Sequence, residues 1–197
     1  MTKLIGFGGY AMAGKDAAAD ILVREHGWTK TYMSKALNDV LMVLDPIVML
    51  KTRTLSLTPS ENALTYYNYK EVIDNVGYEE AKKLPEVRRL LQVMGTEVGR
   101  QMFGEDFWID LMFSKIEGDE YFGLPVALTG IRYQNELDRV KAAGGYTVWV
   151  NRPNHGPVNA HSSDNSLTCG YFDYVLDNVG SLKDLEYEVY LMLEALT

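Results

Sequence analysis

The segment that most constrains this chain is Gly9-Tyr-Ala-Met-Ala-Gly14-Lys15-Asp16, between a short apolar run at residues 3–7 and a helical pattern at residues 16–26. A short apolar run favours a buried parallel strand, so the predicted order is strand, glycine loop, helix. The two glycines let backbone N–H groups turn inward, and the N-terminus of the helix adds about half a positive charge. The segment therefore predicts a phosphate-binding loop with Lys15 as a mobile cation on the phosphates. The candidate nucleotide-binding residues are Gly9, Tyr10, Ala11, Met12, Ala13, Gly14, Lys15, Asp16 and Ala17.

The last residue of this loop departs from the usual pattern, which ends in Ser or Thr because the hydroxyl meets Mg²⁺. Asp16 occupies that place here. One interpretation is a first-turn carboxylate that stabilises the helix dipole. The other is a metal ligand, because a bare carboxylate beside a triphosphate is repelled unless Mg²⁺ lies between them. Asp16 is thus the candidate metal residue, and ATP with Mg²⁺ is the expected nucleotide.

The composition limits the possible partners and the expected compartment. With 197 residues, 47% of them hydrophobic, the chain can bury one good core. A net charge of −8 argues against nucleic-acid or membrane surfaces, so an anionic substrate must meet local arginines. Cys169 is the single cysteine, which rules out an intrachain disulfide and a cysteine-based metal cluster and suits a reducing cytoplasm. The sequence has no signal-peptide pattern and no apolar run long enough to cross a bilayer, so we expect a cytoplasmic protein.

Alternating elements predict an α/β fold. The predicted strands are residues 3–7, 29–33, 125–129, 146–151 and 172–176. The predicted helices are residues 16–26, 35–44, 66–74, 78–83, 85–103, 105–116, 135–143 and 182–196, and residues 48–64 give no clear signal. Short apolar strands separated by helices indicate a five-stranded parallel sheet covered on both faces, which binds ligands at the carboxyl ends of its strands.

The helix predicted from Pro85 has two stripes. One is apolar and consists of Val87, Leu90, Leu91, Met94, Val98 and Met102. The other consists of Arg88, Gln92, Gly95, Thr96, Gly99 and Arg100. Two helical glycines cost about 1 kcal/mol each relative to Ala, so something is expected to approach them closely. Either a neighbouring helix packs there, or a ligand does, with Gln92 on a base edge and Arg88 or Arg100 on phosphate.

Two further stretches carry candidate residues. Arg132 follows an apolar strand, which places it at the carboxyl edge of the sheet as a phosphate ligand; the alternative is a surface pair with Glu136. Residues 151–170 are polar and lack apolar periodicity, as in a functional lid, and Arg152 stands at its entrance. His155 and His161 lie within it, either as metal ligands or, as we expect, as solvated lid residues.

Several blocks together resemble the phage-type deoxynucleoside monophosphate kinases. They are the loop ending in Gly14-Lys15-Asp16, Leu90-Leu-Gln-Val-Met-Gly-Thr-Glu-Val-Gly-Arg100, Gly104-Glu-Asp-Phe-Trp108, Ile131-Arg-Tyr-Gln-Asn-Glu136, and Arg152-Pro with a later His161-Ser-Ser-Asp164. The resemblance implies a single P-loop NTPase domain of the nucleoside monophosphate kinase type. It also implies a helical substrate-binding insertion at about residues 46–118 and a lid at about residues 152–170. In such kinases the γ-phosphoryl group of ATP is transferred to a deoxynucleoside monophosphate with Mg²⁺, often by a dimer.

The resemblance also assigns expected roles. Lys15 and Arg132 would stabilise the transferring group, and Arg152 would close from the lid. The acceptor would be bound by Arg88, Gln92, Thr96, Arg100, Arg132 and Trp108. Trp108 could stack on a base or be a buried core aromatic.

Two positions depart from the similar kinases. Gly130 stands where they usually have Asp, so Asp16 is expected to carry more of the metal interaction, with Glu136 or Asp106 as helpers. Residues 34–37 read Ser-Lys-Ala-Leu in place of Ala-Asp-Pro-Leu, and they receive no catalytic role. A kinase for another small molecule and a non-catalytic nucleotide sensor, the latter motivated by Gly130, stay open as alternative functions.

Overall fold

The structure is a computed structural model that describes residues 3–54, 62–153, 155–156 and 167–196. It divides into two compact units, one comprising Met1–Ser34 and Ile109–Thr197 and the other Lys35–Trp108. In chain order the elements are β1 (Leu4–Gly8), α1 (Lys15–His26), β2 (Thr29–Tyr32), α2 (Lys35–Leu44), β3 (Ile47–Thr54), β4 (Asn62–Asn68), α3 (Tyr69–Val76), α4 (Tyr78–Ala81), α5 (Pro85–Gln92), a π-helical segment (Val93–Phe103), α6 (Phe107–Glu117), β5 (Val126–Ile131), α7 (Gln134–Ala142), β6 (Tyr146–Asn151), β7 (Tyr174–Asp177) and α8 (Leu182–Leu196). Single turns of 3₁₀-helix lie at Asp119–Tyr121 and Cys169–Tyr171. Among the described helices, none combines the length and the apolar character needed to cross a membrane.

The first unit contains the predicted five-stranded parallel sheet, which is confirmed. Its strand order is β2-β5-β1-β6-β7, and every neighbouring pair is parallel. The central strand β1 pairs with β5 on one side and β6 on the other, so the chain changes direction across the sheet at β1. In sheets of this kind, ligands bind at the carboxyl ends of the strands beside this reversal.

Helices cover both faces of this sheet, which explains the uninterrupted apolar character of its strands. Ile5 and Phe7 of β1 pack into a cluster with Ile21 of α1 and Val189 of α8. Leu4 points to the other face, where it joins a cluster built largely from α6 and α7. The side chains that alternate along β1 therefore enter two different hydrophobic clusters. For this reason the strand has no polar face.

The end of β5 carries a bulge at Gly130. Phe7 of β1 lies opposite Thr129, whereas the next residue, Gly8, lies opposite Ile131. Gly130 has φ +88°, a conformation in which a residue with a side chain is strained. The extra residue turns Ile131 into the α6–α7 cluster instead of the face that Thr129 occupies. The departure at residue 130 thus coincides with a backbone geometry that favours glycine.

The second unit contains an antiparallel hairpin formed by β3 and β4. The hairpin lies where the sequence gave no clear signal, and residues 66–68, predicted as helix, belong to β4. The helix prediction there was wrong because residues that are distant in the sequence fix where α3 begins. Asp45 Oδ1 accepts the backbone N–H of Lys70 at 2.9 Å, and Tyr69 donates its hydroxyl to Asn38 Oδ1 at 2.8 Å.

The long helix predicted over residues 85–103 is present, but its second half is π-helical. Gly104 N–H donates to Gly99 O at 3.1 Å, which is a five-residue step. A stripe read at 3.6 residues per turn does not stay on one face through such a segment. Val87 is accordingly buried, whereas Met102, predicted on the same apolar stripe, is 71% exposed.

Candidate active site

The loop after β1 adopts a conformation that its glycines make possible. Gly9 and Gly14 have φ values of +134° and +103°, and Met12 between them has φ +60°. A Cβ at Gly9 would lie 2.5 Å from the carbonyl oxygen of Val150 in β6. Any larger residue at position 9 would therefore push the loop away from the sheet.

The carbonyl oxygens of this loop face polar donors from the surrounding structure. Lys15 Nζ donates to Gly9 O at 2.8 Å and to Tyr10 O at 2.7 Å. Arg152 Nη1 donates to Met12 O at 3.2 Å. Asn178 Nδ2 donates to Ala13 O at 2.9 Å.

Most of the described amide groups in this loop have no backbone carbonyl partner. Within the described residues, Ala13 is the one member of residues 10–14 whose backbone N–H donates to a backbone carbonyl, at 3.2 Å from Tyr10 O. Successive amides that lack carbonyl partners, at the start of a helix of twelve residues, form an anion-binding concavity. The geometry therefore suits a chain of phosphate groups.

A small recess, partly open to solvent, adjoins this loop. Its lining residues are Gly9, Tyr10, Ala11, Lys15, Ile131, Arg132, Trp149 and Leu167. It brings together Lys15 and Arg132, two of the predicted catalytic cations, from the ends of neighbouring strands. Tyr10 meets Trp149 edge to face, with ring centroids 5.2 Å apart, and the two rings form an apolar wall beside the cations.

Asp16 lies at the N-terminus of α1 and holds two polar partners. Its Oδ1 accepts the hydroxyl of Thr129 at 3.1 Å and lies 3.3 Å from Lys30 Nζ. Lys30 also donates to Asp20 Oδ1 at 2.9 Å. Burial lowers the pKa of Lys30, but the hydrogen bond to Asp20 and the charges of Asp16 and Asp20 outweigh burial, so the pKa is raised. Lys30 is therefore a firmly charged ammonium next to the candidate metal residue.

The donor set around Asp16 fits the way proteins hold Mg²⁺ with a nucleotide. Mg²⁺ keeps several waters and takes one or two carboxylates together with phosphate oxygens. The Asp16 carboxylate, which accepts a hydrogen bond from the Thr129 hydroxyl, meets that requirement. Within the described ranges there is no group of three or more His, Cys, Asp and Glu side chains that could hold a metal without a nucleotide.

Glu136, one of the predicted helpers for the metal, lies in the first turn of α7, and its role at a metal stays a prediction. Its carboxylate is buried and accepts the backbone N–H groups of Arg132 at 2.7 Å and Tyr133 at 3.2 Å. These bonds satisfy amides at the beginning of α7, so the side chain fixes the turn that presents Arg132. The other proposed helper, Asp106, is an exposed residue of the second unit.

Of the two lid histidines, His155 belongs to the described residues. His155 is half-buried, and its Nδ1 lies 3.1 Å from Pro153 O. His161 and the block up to Asp164 lie outside the described residues. Cys169 is exposed with a free thiol.

Apart from Arg132, the candidate acceptor residues lie in the second unit. Arg88 and Gln92 are exposed, and Thr96 and Arg100 are half-buried. The structure shows what packs against the glycines of the second stripe. The nearby Trp108 is buried, with 8% of its surface exposed.

The packing interpretation is confirmed at Gly99. Trp108 Nε1 donates to Gly95 O at 3.1 Å, and a Cβ at Gly99 would lie 1.8 Å from the same nitrogen. The indole occupies the space that the glycine leaves. Trp108 is therefore the buried core aromatic of the two alternatives that the sequence left open.

Three polar residues at the loop were missed by sequence reasoning. They are Thr129, Lys30 and Asn178. Thr129 alone had a local signal, as a polar residue inside a buried strand. The other two reach the loop only through strand pairing, since they lie on β2 and just after β7.

A parallel sheet whose central strand feeds a glycine loop and a lysine-bearing helix, with an arginine at the next strand end, defines a P-loop kinase. The solved structure of shikimate kinase from Aquifex aeolicus shares this fold, with a TM-score of 0.50 and 12% identity over 98% of this chain and 96% of that one. The sequence profile of the family described as Deoxynucleotide monophosphate kinase matches residues 29–189. The chain belongs to this family.

Two phage proteins named deoxynucleotide monophosphate kinase are similar to it. The protein of Enterobacteria phage T4 is 24% identical over an alignment 233 positions long, gaps included, which covers 93% of this chain and 95% of that protein. The protein of Escherichia phage RB69 is 26% identical over 123 residues, which cover 61% of this chain and 48% of that protein. The match to the T4 protein extends the similarity over most of both sequences.

Proposed function

We propose that this kinase transfers the γ-phosphoryl group of ATP to a deoxynucleoside 5′-monophosphate and releases the deoxynucleoside diphosphate and ADP. The observation that carries the proposal is the loop at residues 9–14, whose carbonyls accept hydrogen bonds from Lys15, Arg152 and Asn178, while Lys15 and Arg132 line one recess beside it. Membership of the deoxynucleotide monophosphate kinase family supports the choice of acceptor.

The ATP phosphates bind the amides of residues 9–17 in this proposal. Lys15 exchanges its contacts with Gly9 O and Tyr10 O for phosphate oxygens, which its long flexible side chain allows. Arg132 neutralises charge on the transferring group from the end of β5. Arg152 closes from the lid entrance, starting from its contact with Met12 O.

The acceptor needs little chemical activation. A phosphate monoester with a second pKa near 6 is already largely a dianion at neutral pH, so positioning and charge neutralisation suffice. Arg100 holds the acceptor phosphate, Arg88 assists it, and Gln92 and Thr96 meet the base. Trp108 supports these residues by packing beneath the glycines at positions 95 and 99.

Mg²⁺ accompanies ATP and supplies charge neutralisation on the phosphate oxygens when bound. Asp16 would hold it, directly or through water, and Thr129 would orient the carboxylate. Gly130 stands where similar kinases usually have Asp, so Asp16 carries more of the metal interaction in this proposal.

The decisive experiment is a coupled ADP-release assay with ATP, Mg²⁺ and a panel of nucleoside and deoxynucleoside monophosphates. We expect turnover that depends on both Mg²⁺ and a deoxynucleoside monophosphate. Inactivity on every acceptor would refute the proposal and favour a kinase for another small molecule. ATP binding without acceptor-stimulated turnover would instead favour the nucleotide sensor.

We also infer that the enzyme works in the cytoplasm of a phage-infected host, because the proteins similar to it are phage proteins. The resemblance to kinases that often act as dimers favours a homodimer. Light scattering on the purified chain measures the mass directly. A monomer at assay concentration would refute the dimer, but it would not bear on the proposed reaction.

A further inference from the structure

Asn178 follows the edge strand β7 and contacts the phosphate loop from outside. Its backbone N–H donates to Asn151 O at 2.7 Å, which extends the pairing of β7 with β6. Its side-chain Nδ2 donates to Ala13 O at 2.9 Å. The residue therefore ties the loop after the central strand to the far side of the sheet.

The contact is close enough to explain part of the glycine requirement. A Cβ on Gly14 would lie 2.4 Å from Asn178 Nδ2 and 3.4 Å from its Cγ. Gly14 thus leaves room for the amide as well as adopting φ +103°. The loop glycine and Asn178 form one packed arrangement.

The physical consequence concerns the direction of the loop amides. A concavity that binds anions needs its N–H groups inward and its carbonyls outward, and each outward carbonyl needs a donor. Arg152 and Lys15 donate to other carbonyls of the loop, but both side chains belong to the proposed phosphate machinery, and Lys15 lines the recess itself. Asn178 is neutral and attached to a β-strand end, so it can hold Ala13 O throughout the reaction.

We propose that Asn178 is a positioning residue for ATP, which acts by fixing the carbonyl of Ala13 outward and the following amides toward the phosphates. The inference rests on the nucleotide site of the proposed function and adds a residue to it. It requires no contact between Asn178 and the nucleotide.

Calorimetric titration of the full chain with ADP and Mg²⁺ tests this proposal. Asn178→Ala removes the donor, and we expect the Kd for ADP to rise about fivefold, as for the loss of one hydrogen bond. Asn178→Asp keeps the shape but sets a carboxylate against Ala13 O and near the phosphates, so we expect roughly a further tenfold rise. In turnover, the KM for ATP should rise while the KM for the acceptor stays constant.

The matched control is Asn151→Ala on the neighbouring strand. Asn151 is exposed, and its Nδ2 donates to Asp177 Oδ1 at 2.7 Å without reaching the loop. We expect this variant to bind ADP as the wild type does. Thermal unfolding of all variants checks the fold, and Asn178→Asp serves if Asn178→Ala does not fold.

Two results would overturn the inference. One is an ADP Kd within twofold of the wild type in both position-178 variants. The other is an equal loss of affinity in the Asn151→Ala control, which would assign the effect to the sheet edge in general. If the wild type itself fails to bind ADP, the proposed function fails; if it binds while the variants are unaffected, only the role of Asn178 fails.

Discussion

Gly99→Ala offers the sharpest test of how the long helix is used. A Cβ at this position would lie 1.8 Å from Trp108 Nε1 and 2.6 Å from its Cε2. The neighbouring glycine of the same stripe provides a matched control, since a Cβ at Gly95 would meet only Leu37 Cδ2 at 3.5 Å, an ordinary contact. The two substitutions are chemically identical but differ in the space around them.

The expected magnitudes follow from three contributions. Overpacking a filled core costs about 1 to 3 kcal/mol, and loss of the indole hydrogen bond to Gly95 O costs about 1 kcal/mol. The helix preference of Ala over Gly returns about 1 kcal/mol. We therefore expect Gly99→Ala to lower the free energy of unfolding by about 2 kcal/mol and Gly95→Ala to raise it by up to about 1 kcal/mol.

Urea denaturation followed by circular dichroism measures both values. In a Trp108→Leu background, Gly99→Ala should cost much less, because the atoms that it meets are gone. The reasoning would be refuted if both alanines left stability unchanged and raised the KM for the deoxynucleotide instead. That pattern would assign the glycines to a ligand-facing surface.

Three further predictions concern charged side chains. Lys15→Met should reduce kcat about a thousandfold or more without changing the unfolding temperature materially, and near-normal turnover would exclude its role. Lys30→Met should lower the Mg²⁺ concentration needed for half-maximal ADP binding by about threefold, since the ammonium competes for Asp16; an unchanged or higher requirement in the titration would contradict this. Asp173→Asn should destabilise the fold by about 1 kcal/mol at neutral pH. Burial raises the pKa of Asp173, but hydrogen bonds from Lys141 and Thr147 outweigh it and leave the pKa lowered. The stabilisation is therefore present above about pH 4 and is lost as the pH falls through the folded-state pKa; a difference from the wild type that persists in acid unfolding curves would count against it.

The predictions from sequence were most accurate where neighbouring residues set the structure. The strand, loop and helix around Gly9 and Lys15 follow from a local pattern, and the five parallel strands were placed within about two residues. The hairpin of β3 and β4 was missed because residues 48–64 carry no clear strand pattern, and the start of α3 was misplaced because Asp45 sets it from 25 positions away.

The glycines also divide into those whose role follows from neighbouring residues and those whose role depends on the tertiary structure. Gly9 and Gly14 were interpreted correctly as loop residues because their spacing to Lys15 is local. Gly99 had two possible uses, and only the position of Trp108 decided between them. Gly130 stood out in the sequence as a departure from similar kinases, yet its bulge and φ of +88° are visible only against the register of β1.

By itself, the sequence determined the phosphate loop, the parallel sheet and the membership of a kinase class. The loop and the sheet depend on short-range chemistry: glycine freedom, a lysine beside a helix N-terminus, and apolar runs at strand length. The kinase class came from the resemblance of several sequence blocks to known kinases. The tertiary structure alone decided which side chains surround the loop. Lys30 at Asp16 and Asn178 at Ala13 arrive from β2 and from the end of β7, at opposite edges of the sheet. Strand order brings them there, and strand order depends on packing across the whole sheet.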